Sequence, residues 1–342
     1  MSPAPDITIS LVNTNNRELL LACLATLPGA AQEVTLQTIV IDNASTDGSA
    51  DAVREAYPDV EVVARDRRHG FGANHNEAIR RAKGRYVFIL NEDTELHEGC
   101  LDRLCAFLDQ NPEVGAVGPR ILNPDGTDQP SAFHFPSPTR VAFTTLTLQR
   151  ALWVQSGAQK IRRVDWVCGA AILARLDALE AIGGFDESLF IYSEDPDLCL
   201  RLRDAGYATA YFPYASLVHF ENATTSGVPE RRIYQMERSR AFYSRKHHGA
   251  AGEYAVRGMT AAAFGVRAAV AKALLTVPGA DRIKPMDEDA PAQFMTHVKA
   301  AFEPDARPAI EEAAAAFNAE REYDAVDSAP LEADAGSAAG DE

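Results

Sequence analysis

Short apolar runs alternate with stretches of helical periodicity over roughly the first third of the chain, the signature of a mostly parallel sheet flanked by helices. The runs Ile7–Val12, Thr38–Ile41 and Val60–Ala64 read as strands. Between the first two, Leu19, Leu20, Cys23, Leu24 and Leu27 recur at a spacing that gathers them on one face of a helix from Arg17 to Leu27. The polar cluster Asp42–Gly48 then leads into a helix near Ser49, with Ser45 or Asp47 as caps. Another helix is predicted from Ala73 to Ala82, closed by Gly84. Tyr86–Leu90 is continuously apolar, as expected of a central strand covered on both faces. It delivers Asn91, Glu92 and Asp93 at its carboxyl end, the edge at which open α/β sheets bind ligands. A helix from Leu101 and a strand over Val114–Val117 complete this half.

Residues 121–163 carry Pro, Gly and Thr without a clear period and read as a variable connection with acceptor-facing loops. Order resumes at Trp166 with a strand over Ala170–Leu173, a helix through Ile182 and the Gly183-Gly184 turn. A helix opens at Glu194-Asp195-Pro196, Pro being suited to the first helical position, and Gly206 closes it. Short strands over Ala208–Phe212 and Leu217–His219 follow, then a helix near Glu230–Lys246 and an Ala-rich amphipathic one near Val256–Leu275. The organisation predicted is a body over residues 1–248, with a nucleotide half (1–120) and an acceptor half (121–248). A helical extension over 249–303 and an acidic, disordered tail over 304–342 complete it.

Composition narrows the function. The net charge of −16 argues against nucleic acid as a partner, since phosphate backbones call for clustered Lys and Arg. Much of that charge lies after Pro304, so the body is nearer neutrality. The five cysteines form no CxxC pair, which points away from a zinc site or disulfide framework and towards a reducing compartment. With neither a signal-like start nor an uninterrupted apolar span, the expected location is cytoplasmic.

Four clusters carry candidate chemistry. In IVIDNASTDGS, residues 39–49, Asp42 and Asn43 sit at a strand end where a carboxylate can accept the imide hydrogen of a pyrimidine; the alternative is turn and cap chemistry, for Ser45 also. Asn13 and Asn15, after the first strand, would line the same crevice. In GFGANHNEAI, residues 70–79, Gly72 and Asn74 fall in a glycine-rich helix entry that lets backbone approach a nucleotide, although the run lacks the last glycine of a dinucleotide fingerprint. In FILNEDTEL, residues 88–96, Asn91, Glu92 and Asp93 offer the oxygen ligands that Mg²⁺ or Mn²⁺ needs to bridge two phosphates; the alternative is a helix cap. Glu194 and Asp195 precede Pro196 at a helix start, where a carboxylate is either a cap or a general base, and His219 at a strand end is either structural or a third metal ligand.

Together, in this order and spacing, these stretches resemble the family 2 glycosyltransferases of the GT-A fold, nearest a rhamnosyltransferase-like branch acting on bacterial cell-surface glycans. The resemblance spans Ile7 to Lys246 and rests on VIDNASTDGS, GFGANHNEAIRRAKGRYVFILNEDTEL, GAAILARLDALEAIGGFDESLFIYSEDPDLCLRLRDAGY and VHF. It implies an inverting transfer from a nucleotide-diphosphate sugar (UDP- or dTDP-linked, dTDP-rhamnose among them) to a glycan or lipid-linked acceptor, with Mg²⁺ or Mn²⁺ as cofactor. Asp42 would then recognise the base, Asp93 and His219 would hold the metal, and Asp195 would be the base with Glu194 beside it. Gly169 and Ala170 would wall the donor sugar. Three positions depart from the pattern: Asn91-Glu92 in place of a fuller acidic metal motif, VNTNN after the first strand, and Pro196 after the acidic pair. The altered motif leaves a catalytically silent sugar-nucleotide-binding protein of the same fold as the alternative. A nicotinamide-dependent dehydrogenase is disfavoured because no GxGxxG follows the first strand. The Ala-rich C-terminal helices either cover the core or touch the inner face of the plasma membrane.

Overall fold

A computed structural model describes residues 4–137, 139–140, 160–220, 229–276 and 289–302. The tail over 304–342 and the middle of the connection predicted over 121–163 lie outside the described residues.

The first part of the chain follows the predicted alternation. Strand β1 (Ile7–Asn13) is followed by α1 (Arg17–Ala30), β2 (Leu36–Asp42), α2 (Ser49–Ala56), β3 (Glu61–Ala64), α3 (Phe71–Arg81) and β4 (Tyr86–Asn91). After β4 come β5 (Thr94–Leu96), α4 (Cys100–Gln110), β6 (Val114–Leu122), β7 (Asp128–Gln129) and β8 (Ala132–Phe133). The second half holds β9 (Arg162–Val164), β10 (Trp166–Val167), β11 (Ala171–Arg175), α5 (Leu176–Ala181), α6 (Glu194–Asp204) and β12 (Ala208–His219). Two further helices, α7 (Pro229–Thr276) and α8 (Ala290–Phe302), close the described chain.

The main sheet runs β3-β2-β1-β4-β11-β6-β12-β5. β1 to β4 are mutually parallel, β6 and β12 are parallel to each other, and β11 is inserted antiparallel between β4 and β6. That one reversal lets β11 start beside the end of β4, with Ala171 opposite Leu90. The ends of β1, β2 and β4 and the start of β11 therefore share one edge of the sheet.

The side-chain alternation of β4 explains its unbroken apolar run. Tyr86, Phe88 and Leu90 enter a core with Leu20, Leu24, Leu101 and Leu104 from α1 and α4, whereas Val87 and Ile89 enter another with Ile79, Leu179, Leu198 and Leu202 from α3, α5 and α6. Both faces are covered, so neither tolerates a polar side chain.

Several boundaries differ from the sequence expectation for local reasons. α3 begins at Phe71, two residues early, because Gly70 already accepts the first helical hydrogen bond from Asn74. The two strands expected over 208–219 are one strand, β12, whose register with β6 shifts between Phe212 and Ser216. Pro213 lies in that interval and has no N–H to continue the ladder, so the strand bulges there. Pro196 is the third residue of α6 rather than the first, still within the turn whose N–H groups have no helical acceptor. The two C-terminal helices expected from the sequence are the halves of α7, divided at Gly249, whose φ of 68° and ψ of −175° are non-helical.

Since Phe88 is fully buried in the sheet's central strand, Phe88→Ala is expected to destabilise the protein by about 3–5 kcal/mol through lost transfer energy and a residual cavity. Urea titration monitored by circular dichroism checks this; a loss below about 1 kcal/mol would place Phe88 outside the cooperative core.

Candidate active site

At the end of β1 the Asn13 amide nitrogen donates to Asp42 Oδ1 (3.4 Å) and to Ser45 Oγ (3.1 Å). Asp42 Oδ2 accepts from the Ser45 amide (3.1 Å), and Ser45 Oγ also accepts from the Asn15 amide (3.0 Å). Asn15, with φ of 56°, accepts from the Thr46 amide through Oδ1 (2.7 Å). This lattice locks the β1 and β2 end loops against each other. It also separates roles: the entry to α2 is fastened by Asp47, which accepts from the Ser49 amide, so Ser45 is not the helix cap. Asp42 serves its turn through Oδ2, and its Oδ1 keeps only the long contact to Asn13.

The α3 entry joins this wall. Asn43 donates to the His69 carbonyl (3.2 Å) and accepts from the His69 amide (2.8 Å), and Asn74 donates to the same carbonyl (3.2 Å). Gly72 is required by packing: a Cβ there would lie 2.7 Å from Phe185 Cβ. Gly70 has the same function towards the 190 region, where a Cβ would meet the Phe190 backbone oxygen at 2.6 Å. His75 is a core histidine, held by Ser10 Oγ at 2.7 Å and pushed down to about 3, hence neutral, by complete burial.

Asn91 ends β4, and Glu92 and Asp93 form the tight turn to β5, fastened by the Thr94 hydroxyl on the Asn91 carbonyl (2.7 Å). Asp93 therefore precedes a strand and caps no helix. Its backbone carbonyl accepts from the Phe220 amide (2.9 Å), and its Oδ1 lies 3.2 Å from His219 Nε2. The other ring nitrogen, Nδ1, is 2.7 Å from Gln129 Oε1, while Gln129 Nε2 donates to Asn123 Oδ1 (3.3 Å). With its amide nitrogen committed to Asn123, Gln129 presents oxygen to the ring, so Nδ1 carries hydrogen; in the tautomer this selects, the Nε2 lone pair lies beside Asp93 Oδ1 and the Asn91 side-chain nitrogen, 3.4 Å away. Glu92 points to Asn16, whose amide donates at 2.8 Å; burial and then the neighbouring Asp93 charge push its carboxyl up to about 7.

The acidic pair stands on the first turn of α6. Ser193 is the N-cap residue, and the Asp195 carboxylate turns away from its own helix to accept from the Gly169 amide (3.1 Å). The cap reading of Asp195 is thereby excluded. Ala170, next to Gly169, accepts through its carbonyl from the Asn91 amide (3.0 Å). The turn before β11 thus touches both acidic stations, Asp195 on one side and the end of β4 on the other. A Cβ on Gly169 would stand 3.4 Å from Phe71 Cζ and 3.7 Å from Asp195 Cβ. Burial raises both carboxyls above their ordinary range, and for Glu194 the adjacent Asp195 charge raises it further.

Four buried oxygens in these clusters have no hydrogen-bond donor among the described residues: Asn13 Oδ1, Asn74 Oδ1, Asp93 Oδ1 and Glu194 Oε2. Buried acceptors are almost always satisfied, so such a group of orphans marks where external donors or a cation belong. A divalent cation suits the Asp93 Oδ1 and His219 Nε2 pair, two acceptors facing each other. No three His, Cys, Asp or Glu side chains converge on a metal site among the described residues; a hard cation completed by phosphate and water oxygens needs few protein ligands. Sequence reading missed Gln129 and Asn16, single polar residues with no local signal.

Comparison with known proteins places this geometry in a family. The family model described as glycosyl transferase family 2 matches residues 8–167. The chain is 30% identical over 239 residues to the N-acetylglucosaminyl-diphospho-decaprenol L-rhamnosyltransferase of Mycobacterium tuberculosis, covering 64% of this chain and 78% of that one. It is 28% identical over 173 residues to the rhamnosyltransferase WbbL of Escherichia coli, covering 44% of this chain and 61% of that one. Among solved structures, a mannosyltransferase from Pyrobaculum calidifontis in complex with GDP-Man and Mn²⁺ is similar with a TM-score of 0.55 at 20% identity, over 89% of this chain and 88% of that one. The chain belongs to glycosyl transferase family 2 and has the GT-A fold.

Proposed function

We propose that this protein transfers a deoxyhexose, rhamnose first among the possibilities, from a pyrimidine nucleotide-diphosphate donor to a hydroxyl of a lipid-linked saccharide, with inversion at the anomeric carbon. The observation that carries the reading is the group of orphaned, buried oxygens at the shared edge of the sheet. The names of the two rhamnosyltransferase relatives support the sugar and the acceptor class.

Asp42 Oδ1 and Asn13 Oδ1 offer acceptors to the imide edge of a uracil or thymine. Asn15, Asn43, Ser45 and Asn74 shape that wall. Asp93 and His219 would hold Mg²⁺ or Mn²⁺, which when bound neutralises charge growing on the departing diphosphate. The structures solved with Mn²⁺, including the Pyrobaculum mannosyltransferase, are consistent with that choice. Asp195 takes the proton of the acceptor hydroxyl as its oxygen bonds to the anomeric carbon and the bond to the diphosphate oxygen breaks. The Gly169 amide aims the carboxylate, and Ala170 keeps the neighbouring wall small. Glu194, buried and with its carboxyl held above the ordinary range, supports the site.

The second half of α7 suggests where the acceptor is met. Tyr254, Val266, Val270, Leu274 and Leu275 are exposed, while Val256, Phe264, Ala268 and Ala271 are buried. Phe264 stacks on His297 of α8. Residues 254–276 include Arg257, Arg267 and Lys272 and no acid. Arg232–Thr276 is long and apolar enough to cross a membrane, but Gly249 divides it. A helix apolar on its open face and basic in net charge suits the surface of an anionic leaflet, here the inner face of the plasma membrane.

Asp195→Asn is expected to retain donor affinity and to lower kcat by about 10²–10⁴-fold; near-normal turnover would remove Asp195 as the base. The base acts unprotonated and its carboxyl is raised, so the acidic limb of the kcat profile should fall above the ordinary carboxylate value of about 4. Gln129→Leu should weaken Mn²⁺ affinity by about 10–100-fold in calorimetry with donor diphosphate present, because the ring tautomer is no longer selected. Unchanged affinity would separate His219 from the metal. The protein should float with phosphatidylglycerol vesicles, and a Val266→Asp, Val270→Asp, Leu274→Asp triple variant should not; flotation of both alike would dismiss that surface.

A further inference from the structure

The segment between α5 and α6, residues 182–193, carries the chain into the acidic pair and is gripped from two sides. On the α3 side, Asn76 Oδ1 accepts from the Phe185 amide (2.8 Å) and Nδ2 donates to the Phe185 carbonyl (3.0 Å), while the Phe71 amide donates to the Phe190 carbonyl (2.7 Å). On the other side stands the first half of α7. There Ser239, Tyr243, Lys246 and His247 recur at i, i+4, i+7 and i+8, one face of a helix.

Each residue of that face meets α6 or the loop before it. Ser239 Oγ, buried, donates to the Ile191 carbonyl (2.7 Å) and accepts from Gln235 Nε2 (3.1 Å), which orients the hydroxyl. Tyr243 packs with Cys199 and Leu200 of α6. Lys246 Nζ and His247 Nε2 lie 2.6 and 2.7 Å from Asp197 Oδ1, and Arg201 donates to Asp197 Oδ2 at 2.7 Å. Lys246 also reaches Asp186 Oδ2 at 2.6 Å. Burial raises the Asp197 carboxyl, but the His247 and Lys246 hydrogen bonds and the Arg201 charge outweigh it and draw it down to about 2. The carboxylate stays ionised and the ionic joint holds across the working range.

Between the two grips the backbone is strained. Tyr192 and Ser193 have φ of 69° and 68°, consecutive left-handed residues with side chains, immediately before Glu194. Such a pair persists only where its surroundings over-determine it, and strain of this kind gathers at functional sites.

We propose that the first half of α7 is a clamp on the catalytic loop, in which Ser239 is a positioning residue. By holding the Ile191 carbonyl it keeps Tyr192 and Ser193 left-handed and so aims the Asp195 carboxylate at the Gly169 amide and the acceptor. The effect on turnover rests on the reading of Asp195 as the base; the clamp itself does not. The first half of α7 thereby belongs to the catalytic machinery.

The test uses the full chain with three variants: Ser239→Ala, Ser193→Gly and the two combined. Ser239→Ala is expected to lower kcat by about 10–100-fold, the scale of a small misplacement of a reacting group, with donor KM within about twofold of the wild type and amide exchange over residues 190–197 accelerated. Glycine adopts φ near 68° without steric cost, so Ser193→Gly in the Ser239→Ala background should recover part of kcat, which general destabilisation would not allow. Wild-type exchange over 190–197 in Ser239→Ala overturns the clamp. Accelerated exchange with unchanged kcat, or no recovery in the double variant, overturns the positioning role. Should Asp195→Asn keep its turnover while exchange in Ser239→Ala is accelerated, the base assignment fails and the clamp stands.

Discussion

The hydrogen bond from the Gly169 amide to the Asp195 carboxylate is the joint on which the candidate site depends. Gly169 lies in the turn that feeds β11, the one antiparallel strand among the long members of the sheet, and its neighbour Ala170 accepts from the end of β4. Through two adjacent residues the helix carrying the acidic pair is therefore referred to the strand carrying Asn91, Glu92 and Asp93. Any shift of α6 would break a partly buried charge-assisted bond and leave a carboxylate unpaired, a costly outcome that holds the two stations in register.

Placing three buried carboxylates and the half-buried Asp195 close together works against folding unless something compensates. Glu92, Glu194 and Asp195 respond by rising, which favours the neutral form, and Asp195 also accepts from the Gly169 amide, while Asp93 keeps Oδ1 without a donor beside His219. Apolar layers on both sides of β4 and the ionic joint at Asp197 supply stability that offsets this arrangement. Perturbed titratable groups gathered together are a physical pointer to function, and here they coincide with the unsatisfied oxygens and with the family's fold.

The fold was legible to the extent that it is periodic. The unbroken run Tyr86–Leu90, the helical stripe from Leu19 to Leu27 and the polar ends of the strands each report a local pattern that packing then preserves. Errors fell where a local rule met a tertiary one. The two short strands expected over 208–219 are one strand that continues through a bulge, and Pro196, suited to the first helical position, is the third residue of its helix. The Asp195 carboxylate could have capped its helix on sequence grounds; only the partner at Gly169 decides otherwise. Gly72 was read as an approach to a ligand, whereas its neighbour is Phe185.

By itself the sequence determined the α/β order, the strand ends at which polar residues collect, and the family, because periodicity and motif spacing are properties of neighbours along the chain. Tertiary structure alone decided which oxygens are left without donors, which nitrogen of His219 faces Asp93, and what braces the loop before Glu194. Those outcomes rest on pairs far apart in the chain, Gln129 with His219 across 90 positions and Ile191 with Ser239 across 48. No local pattern encodes such pairs, since each exists only after the sheet has brought its strand ends to one edge and α7 has folded back over α6.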